Sequence, residues 1–203
     1  GSVNGSAKPL DLSIVIHELA HELKNPMVTI KTFAQLLGDR YDDESFRARF
    51  QEIVGGDIER MDDLLEVMVE FADFAQPKRS YVALGEILRG VAKEIQAEST
   101  KRQTRFEWKG NGNGDDVRVD ESQLTYVLRN VLTAVVAQAK LGSEIAIEVG
   151  RQGATAITYL REGARVASIT HYLSDGAASP NDGILPLRIL LAKQLFERNG
   201  GRL

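Results

Sequence analysis

The residues of this chain best suited to chemistry lie near its start, where His17 and His21 are each followed by a glutamate. An imidazole is close to its neutral form at neutral pH, so one ring nitrogen can accept a phosphoryl group while the other holds a proton. The carboxylate of Glu22 is suited to fixing that tautomer. One helical turn beyond His21, the Asn25 amide can both donate and accept hydrogen bonds, which suits it to orienting a water molecule. His21, Glu22 and Asn25 are therefore the candidate catalytic residues.

The same residues also match a different motif. His17-Glu18-x-x-His21 has the H-E-x-x-H spacing of zinc metallopeptidases, in which two imidazoles on one helix face bind a metal. A third ligand is needed, and the other histidine of the chain is His171. Glu44 is expected to begin an antiparallel helix far from His21. Short motifs often match by chance, so the peptidase is a remote alternative and no metal is expected.

A helix is predicted over residues 10–37, with Gly38 as its stop. Its apolar residues recur at steps of three, four or seven, which forms a heptad seam with Pro26 at a core position. In this heptad His21 takes the position farthest from the core, and Pro26 should kink the helix just beyond it. The seam residues are Leu12, Ile16, Leu19, Leu23, Ile30, Phe33 and Leu37.

A second helix is predicted over residues 44–76, with Asp42 or Asp43 as its N-cap and Pro77 after its end. Two long helices with a short connection form an antiparallel hairpin. One hairpin cannot bury both seams, so two hairpins should pair as a four-helix bundle, and a homodimer is expected. The second seam consists of Phe50, Val54, Ile58, Met61, Leu65, Met68 and Ala72.

After Pro77 the pattern changes to alternating strands and helices, which is typical of an α+β sandwich with helices on one face of a sheet. The predicted domains are a tag or linker at 1–8, a helical hairpin at 9–77 and an α+β domain at 79–203. The predicted helices cover 82–102, 121–140 and 186–198. The predicted strands cover 106–108, 117–119, 145–149, 154–160 and 166–172.

Composition excludes several classes of protein. The 203 residues carry a net charge of -4, which gives no general attraction to nucleic acid. No cysteine is present, so disulfides and thiolate metal sites are excluded, which is compatible with a reducing cytoplasm. No apolar run approaches the roughly 20 residues of a membrane span. A cytoplasmic location is therefore expected.

The stretch His21-Glu22-Leu23-Lys24-Asn25-Pro26 resembles the H-box of sensor histidine kinases. The resemblance covers about residues 10–203. It is strongest from His21 to Leu37, where it is closest to the nitrogen-regulation type because Asn25 rather than threonine precedes the proline. It implies a bacterial protein with a Bergerat-type second domain. It also implies that His21 is the phosphoacceptor, Glu22 the acid/base partner and Asn25 the phosphatase residue.

The boxes that bind ATP in that family are degenerate here. Asn130 matches the first asparagine of the N-box, but Ala134 stands where the second would hold magnesium, and a methyl group cannot coordinate a cation that demands oxygen ligands. The adenine-binding box aligns either with 161–165, where Arg161 replaces the aspartate and Gly163 is kept, or with 174–178. The last glycine-rich loop aligns with 184–188, which includes Pro186 and no glycine. Binding of ATP and magnesium is therefore predicted to be lost.

The predicted function is a dimeric two-component signalling protein that accepts phosphate at His21 from a response-regulator aspartate, or transfers it there, without binding ATP. One alternative is a non-catalytic pseudokinase that binds a receiver domain or an active kinase. Another is an autophosphorylating histidine kinase with a divergent ATP site. The expected partners are a second copy and a receiver domain, and an upstream histidine kinase is a further candidate.

Overall fold

The computed structural model describes residues 10–98, 103–110, 116–161, 163, 165–171 and 186–203. The chain divides into two compact units, one spanning Asp11–Phe74 and the other containing Ala75–Leu203. The predicted linker at 1–8 lies outside the described residues. No helix among those described has both the length and the apolar character that crossing a membrane requires.

The first unit is a hairpin of two long helices, α1 (Leu12–Arg40) and α2 (Glu44–Ala72). Asp43 caps α2, because its Oδ1 accepts a hydrogen bond from the backbone N–H of Phe46 at 3.1 Å. Near the turn, the Phe33 ring of α1 lies 5.8 Å from that of Phe46 and 6.4 Å from that of Phe50. The predicted helical hairpin is therefore confirmed, with Asp43 rather than Asp42 as the cap.

The C-terminal ends of α1 and α2 both differ from the predicted positions. α1 continues through Gly38 to Arg40, so the prediction that Gly38 stops it is wrong. A glycine inside a helix costs about 1 kcal/mol, and here the helix continues through Gly38 for two more exposed residues. α2 ends at Ala72, four residues before the predicted end at 76, and the N–H of Phe74 bonds to the carbonyl of Phe71 at 3.3 Å, an i→i−3 bond that tightens the last turn.

The stripe that the hairpin buries within itself differs from the predicted seam, of which only Pro26 and Val54 are buried. Buried side chains include Val15, Pro26, Phe46, Val54, Leu64, Val67 and Phe71. Leu12, Ile16, Ile58 and Leu65 of the predicted seam are exposed, Ile16 by 61% and Leu65 by 46%. Each helix touches one neighbour in a hairpin, so the buried stripe is displaced toward that neighbour. The exposed seam residues form a second apolar face.

The described part of the second unit contains two sheets, three α-helices and one short 3-10 helix at Arg151–Gly153. Strands β1 and β3 form an antiparallel pair, and the other strands form a four-stranded sheet in the order β2-β4-β5-β6, in which only β2 and β4 run parallel. The strands are β1 (Ser80–Ala83), β2 (Arg105–Lys109), β3 (Asp116–Val119), β4 (Glu144–Val149), β5 (Thr155–Arg161) and β6 (Arg165–His171), and the helices are α3 (Leu84–Glu98), α4 (Glu121–Gln138) and α5 (Leu187–Arg198).

One face of the larger sheet is buried. Ile145 and Ile147 alternate with more exposed residues along β4, and Ile157 of β5 is fully buried. The helices contribute further large apolar side chains to this core. They include Leu88, Leu128, Leu132, Leu191 and Leu195. The predicted α+β sandwich is therefore confirmed.

The main error in this unit concerns β1. Residues 82 and 83 were predicted to begin a helix, but Ser80–Ala83 is a strand and α3 begins at Leu84. The strand forms because it pairs with β3, with Ser80 opposite Val119 and Ala83 opposite Asp116. The paired strand is more than thirty residues away in sequence, so a local apolar pattern cannot reveal the pairing.

A polar network joins the start of the second unit to α4 and α5. The carboxylate of Asp120 accepts hydrogen bonds from Lys78 N at 2.7 Å, Ser122 Oγ at 2.7 Å and Gln123 N at 3.1 Å. Asn199 accepts from the Asp120 N–H at 3.0 Å and donates to the Gln123 side chain at 2.8 Å. Burial raises the pKa of Asp120, but these hydrogen bonds outweigh it and hold the pKa below its usual value.

Replacing Asp120 with alanine is expected to lower the free energy of unfolding of the second unit by about 2 kcal/mol at pH 7, since it removes a helix cap with charge-assisted hydrogen bonds. A depressed pKa means that the stabilisation is present above the unfolded value near 3.8 and is lost as pH falls below it. The difference from the wild type should therefore shrink in acid.

The fluorescence of Trp108, the one tryptophan of the chain, reports on this unit during urea unfolding. Asp116→Ala is the matched control, because Asp116 is exposed. An Asp120→Ala deficit that stays constant from pH 7 to pH 3 would contradict the assignment.

Candidate functional site

His21 lies on the outside of α1, in the middle of the helix. Its side chain is exposed, as is that of Asn25, whereas Glu22 is half-buried. Residues four apart on a helix have Cβ atoms about 5–6 Å apart, so His21 and Asn25 share one face. The structure thus places the imidazole and the amide together on an accessible surface, with the carboxylate of Glu22 beside them in sequence.

Pro26 packs directly beyond these residues. It is buried, and it lies within α1, which continues through it. Proline has no N–H, so the carbonyl of Glu22 lacks its usual helical donor. The carbonyl of Asn25 accepts a hydrogen bond from Thr29 Oγ1 at 3.3 Å. Just beyond His21, α1 is therefore packed through Pro26 and lacks one helical hydrogen bond, at the carbonyl of Glu22.

The chemistry that fits this arrangement is attack by an imidazole on an incoming phosphoryl group. An exposed helical position lets a second protein bring its phosphate to the ring without moving core residues. The amide of Asn25 can hold a water molecule in line for a separate step, hydrolysis of a partner's aspartyl phosphate. These roles require no residue from the second unit.

The peptidase alternative gains no support from the structure. A catalytic zinc site needs three protein ligands. In the described part of the chain, no group of three or more His, Asp or Glu side chains could hold a metal ion. Glu18, which would act as the general base, is half-buried.

In the second unit, the side chain of Asn130 is buried and hydrogen-bonded to another residue of the same unit. Its side chain is 2% exposed, and its Oδ1 accepts a hydrogen bond from the guanidinium of Arg188 at 2.9 Å. Ala134, one turn later on α4, is 6% exposed and offers only a methyl group. The sequence analysis did not predict the contact with Arg188, which ends the stretch 184–188 that aligns with the last glycine-rich loop of that family.

The other positions that align with the ATP-binding boxes lie in two places. Arg161 pairs with Arg165 across the antiparallel β5–β6 ladder, so Gly163 lies at the connection between these strands, with a φ of +88° that favours glycine. Pro186 immediately precedes α5 and makes no side-chain cap hydrogen bond. The alternative alignment at 174–178 and the residues 184 and 185 lie outside the described residues.

Comparison with known proteins gives a consistent result. Residues 11–77 match the family described as His Kinase A (phospho-acceptor) domain. The chain is 20% identical over 196 residues to the sensor histidine kinase ZraS of Escherichia coli K12, in an alignment that covers 90% of this chain and 40% of that protein. The chain thus spans less than half the length of this relative.

Two solved structures share the fold. Histidine kinase AdeS of Acinetobacter baumannii superposes with a TM-score of 0.52 at 15% identity, covering 88% of this chain and 86% of that one. Histidine kinase ThkA, solved in complex with the response regulator protein TrrA, superposes with a TM-score of 0.50 at 21% identity, covering 72% of this chain and 45% of that one.

Proposed function

The chain is a histidine kinase-related two-component protein with a His Kinase A phospho-acceptor domain at residues 11–77, and on that premise we propose that it exchanges phosphate between His21 and the aspartate of a response-regulator receiver domain without binding ATP. In the forward step the aspartyl P–O bond breaks and an N–P bond forms at His21. The other ring nitrogen keeps its proton, with Glu22 as its acid/base partner. Asn25 positions water when the phosphate is hydrolysed.

The observation that carries this proposal is the exposure of His21 and Asn25 on one helix face. A receiver domain can dock on that surface and bring its phosphate directly to the imidazole. The structure of a related kinase with its response regulator supports a receiver as the partner class.

The proposed loss of ATP binding rests on the second unit. The buried Asn130 is engaged by Arg188 at 2.9 Å, and Ala134 supplies no oxygen ligand for magnesium. Catalysis of phosphoryl transfer from ATP depends mainly on metal and phosphate contacts. Without these contacts the unit has little with which to hold or activate a nucleotide.

The second apolar face of the hairpin supports a second copy as partner. Leu12 and Ile16 of α1 and Ile58 and Leu65 of α2 are between 46% and 61% exposed in the single chain. Solvated apolar stripes on both helices of one hairpin are what a four-helix bundle buries. We therefore propose that two hairpins pair through this face.

Millimolar Mg-ATP is expected to leave the thermal unfolding of the chain unchanged, since the proposed protein does not bind the nucleotide. A ligand at 100 times its dissociation constant would stabilise by about 2.7 kcal/mol, which a melting curve detects. Magnesium alone and ATP alone are the controls. A shift that requires both would contradict the proposal and favour the autophosphorylating kinase.

A further inference from the structure

His17 is exposed and lies one helical turn before His21, and neither the fold nor the proposed phosphotransfer uses it. Both histidines belong to the same uninterrupted helix, Leu12–Arg40. Side chains four residues apart have Cβ atoms about 5–6 Å apart, and metal–imidazole bonds are about 2.0–2.1 Å long. The two rings can therefore reach one ion from the same side of the helix.

We propose that His17 and His21 form a two-histidine site that binds one divalent transition-metal ion reversibly, and that the bound ion blocks phosphoryl transfer at His21. The second clause rests on the proposed function above. Neutral imidazoles select ions of the copper, nickel and zinc group, and copper(II) binds most tightly in that series.

The location of the pair supports a site that stays open to solvent. The buried stripe of the hairpin includes Val15 and Pro26, and the exposed apolar face includes Ile16. His21 takes the outermost heptad position and His17 the position next to it. A second copy that covers Ile16 therefore leaves the two imidazoles accessible.

The ligand set explains why binding should be reversible. In the described part of the chain no third His, Asp or Glu joins the pair to complete a metal cluster. Water must fill the remaining coordination positions, so the ion is held by a chelate of two nitrogens. This is weaker than a structural zinc site, which uses four protein ligands.

The blocking effect follows from the shared residue. A metal coordinated to His21 engages a lone pair of the ring and withdraws electron density from it, which makes the imidazole a poorer nucleophile. The ion also occupies the surface that an incoming phosphoryl group must approach. Metal binding and phosphoryl acceptance at His21 therefore exclude each other.

The first test is a titration of the full chain with copper(II), followed by calorimetry and by electron paramagnetic resonance in a non-chelating buffer. One ion per chain with two nitrogen ligands is expected. His17→Gln and His21→Gln should each weaken binding by about tenfold or more, as loss of even an outer-sphere contact commonly costs that much. His171→Gln is the matched control and should bind as the wild type does. Unchanged affinity in His17→Gln would overturn the site.

The second test measures transfer from a phosphorylated receiver domain with and without copper(II). At 100 times the dissociation constant the rate should fall about a hundredfold in the wild type by mass action, and far less in His17→Gln, which keeps His21. Equal inhibition of both proteins would overturn the blocking step. Absence of transfer in the metal-free wild type would contradict the proposed function and the blocking step together, while the copper titration still decides the site.

Discussion

Replacing His21 with alanine is expected to abolish phosphoryl acceptance by the chain and to leave its folding unchanged. The imidazole is the proposed nucleophile, and loss of a nucleophile commonly costs at least about a thousandfold in rate. The side chain is exposed on α1, so its removal leaves no cavity, and alanine is a good helix former. His17 remains in the variant but is not expected to substitute, because Glu22 and Asn25 adjoin His21.

The measurement is transfer of labelled phosphate from a receiver domain to the chain, with the product tested for the acid lability and base stability of phosphohistidine. Gln35→Ala is the matched control, since Gln35 is exposed on the same helix beyond Pro26. It should accept phosphate at the wild-type rate. Labelling of the His21→Ala protein at that rate would show that another residue is the acceptor. A wild type that binds the receiver without becoming labelled would favour the pseudokinase alternative.

The helical hairpin was predictable because its apolar periodicity extends over two long segments. The strands of the second unit were also located to within about two residues, except β1. Tyr81 and Val82 favour a strand, but the strand has only four residues and α3 follows it at once, so the apolar pattern of the helix obscures it. The helix end at Arg40 was missed for a different reason, because glycine permits a helix to end without requiring it, and α1 continues through Gly38.

The two regions of the site differ in what a sequence can predict. The exposure of His21 follows from heptad position, a local property that periodicity encodes. The contact between Arg188 and Asn130 joins residues 58 positions apart and depends on how α4 packs against α5. A sequence pattern can show that residues 184–188 contain no glycine, but it cannot show that Arg188 hydrogen-bonds to Asn130. The roles of His21, Glu22 and Asn25 stay predictions.

The heptad pattern also cannot say which partner covers a seam. Within the protomer, α1 and α2 cover Val15, Leu64 and Val67, and they leave Ile16 and Leu65 exposed. The predicted seam contains the exposed pair and none of the three buried residues. The structure separates them, and the stripe left over defines where a second copy would bind.

Replacing Ile16 with glutamate is therefore expected to dissociate the proposed dimer. Ile16 is 61% exposed in the protomer. Full burial of such a side chain is worth about 1.5–3 kcal/mol, and the substitution also places a carboxylate in an apolar seam, once in each copy. The combined loss of about 4 kcal/mol or more corresponds to roughly a thousandfold rise in the dimer dissociation constant. Sedimentation equilibrium at micromolar concentration measures it.

The control for the Ile16→Glu variant is Gln35→Glu. It adds the same charge to α1, but at an exposed residue on the side of the helix farthest from the apolar seam. If general repulsion between acidic chains caused dissociation, both variants would dissociate. If the apolar face is the interface, only Ile16→Glu does so, and Leu65→Glu on the facing part of α2 behaves like it. Since His21 lies outside this face, a monomeric Ile16→Glu protein that still accepts phosphate would show that the acceptor site is complete within one hairpin.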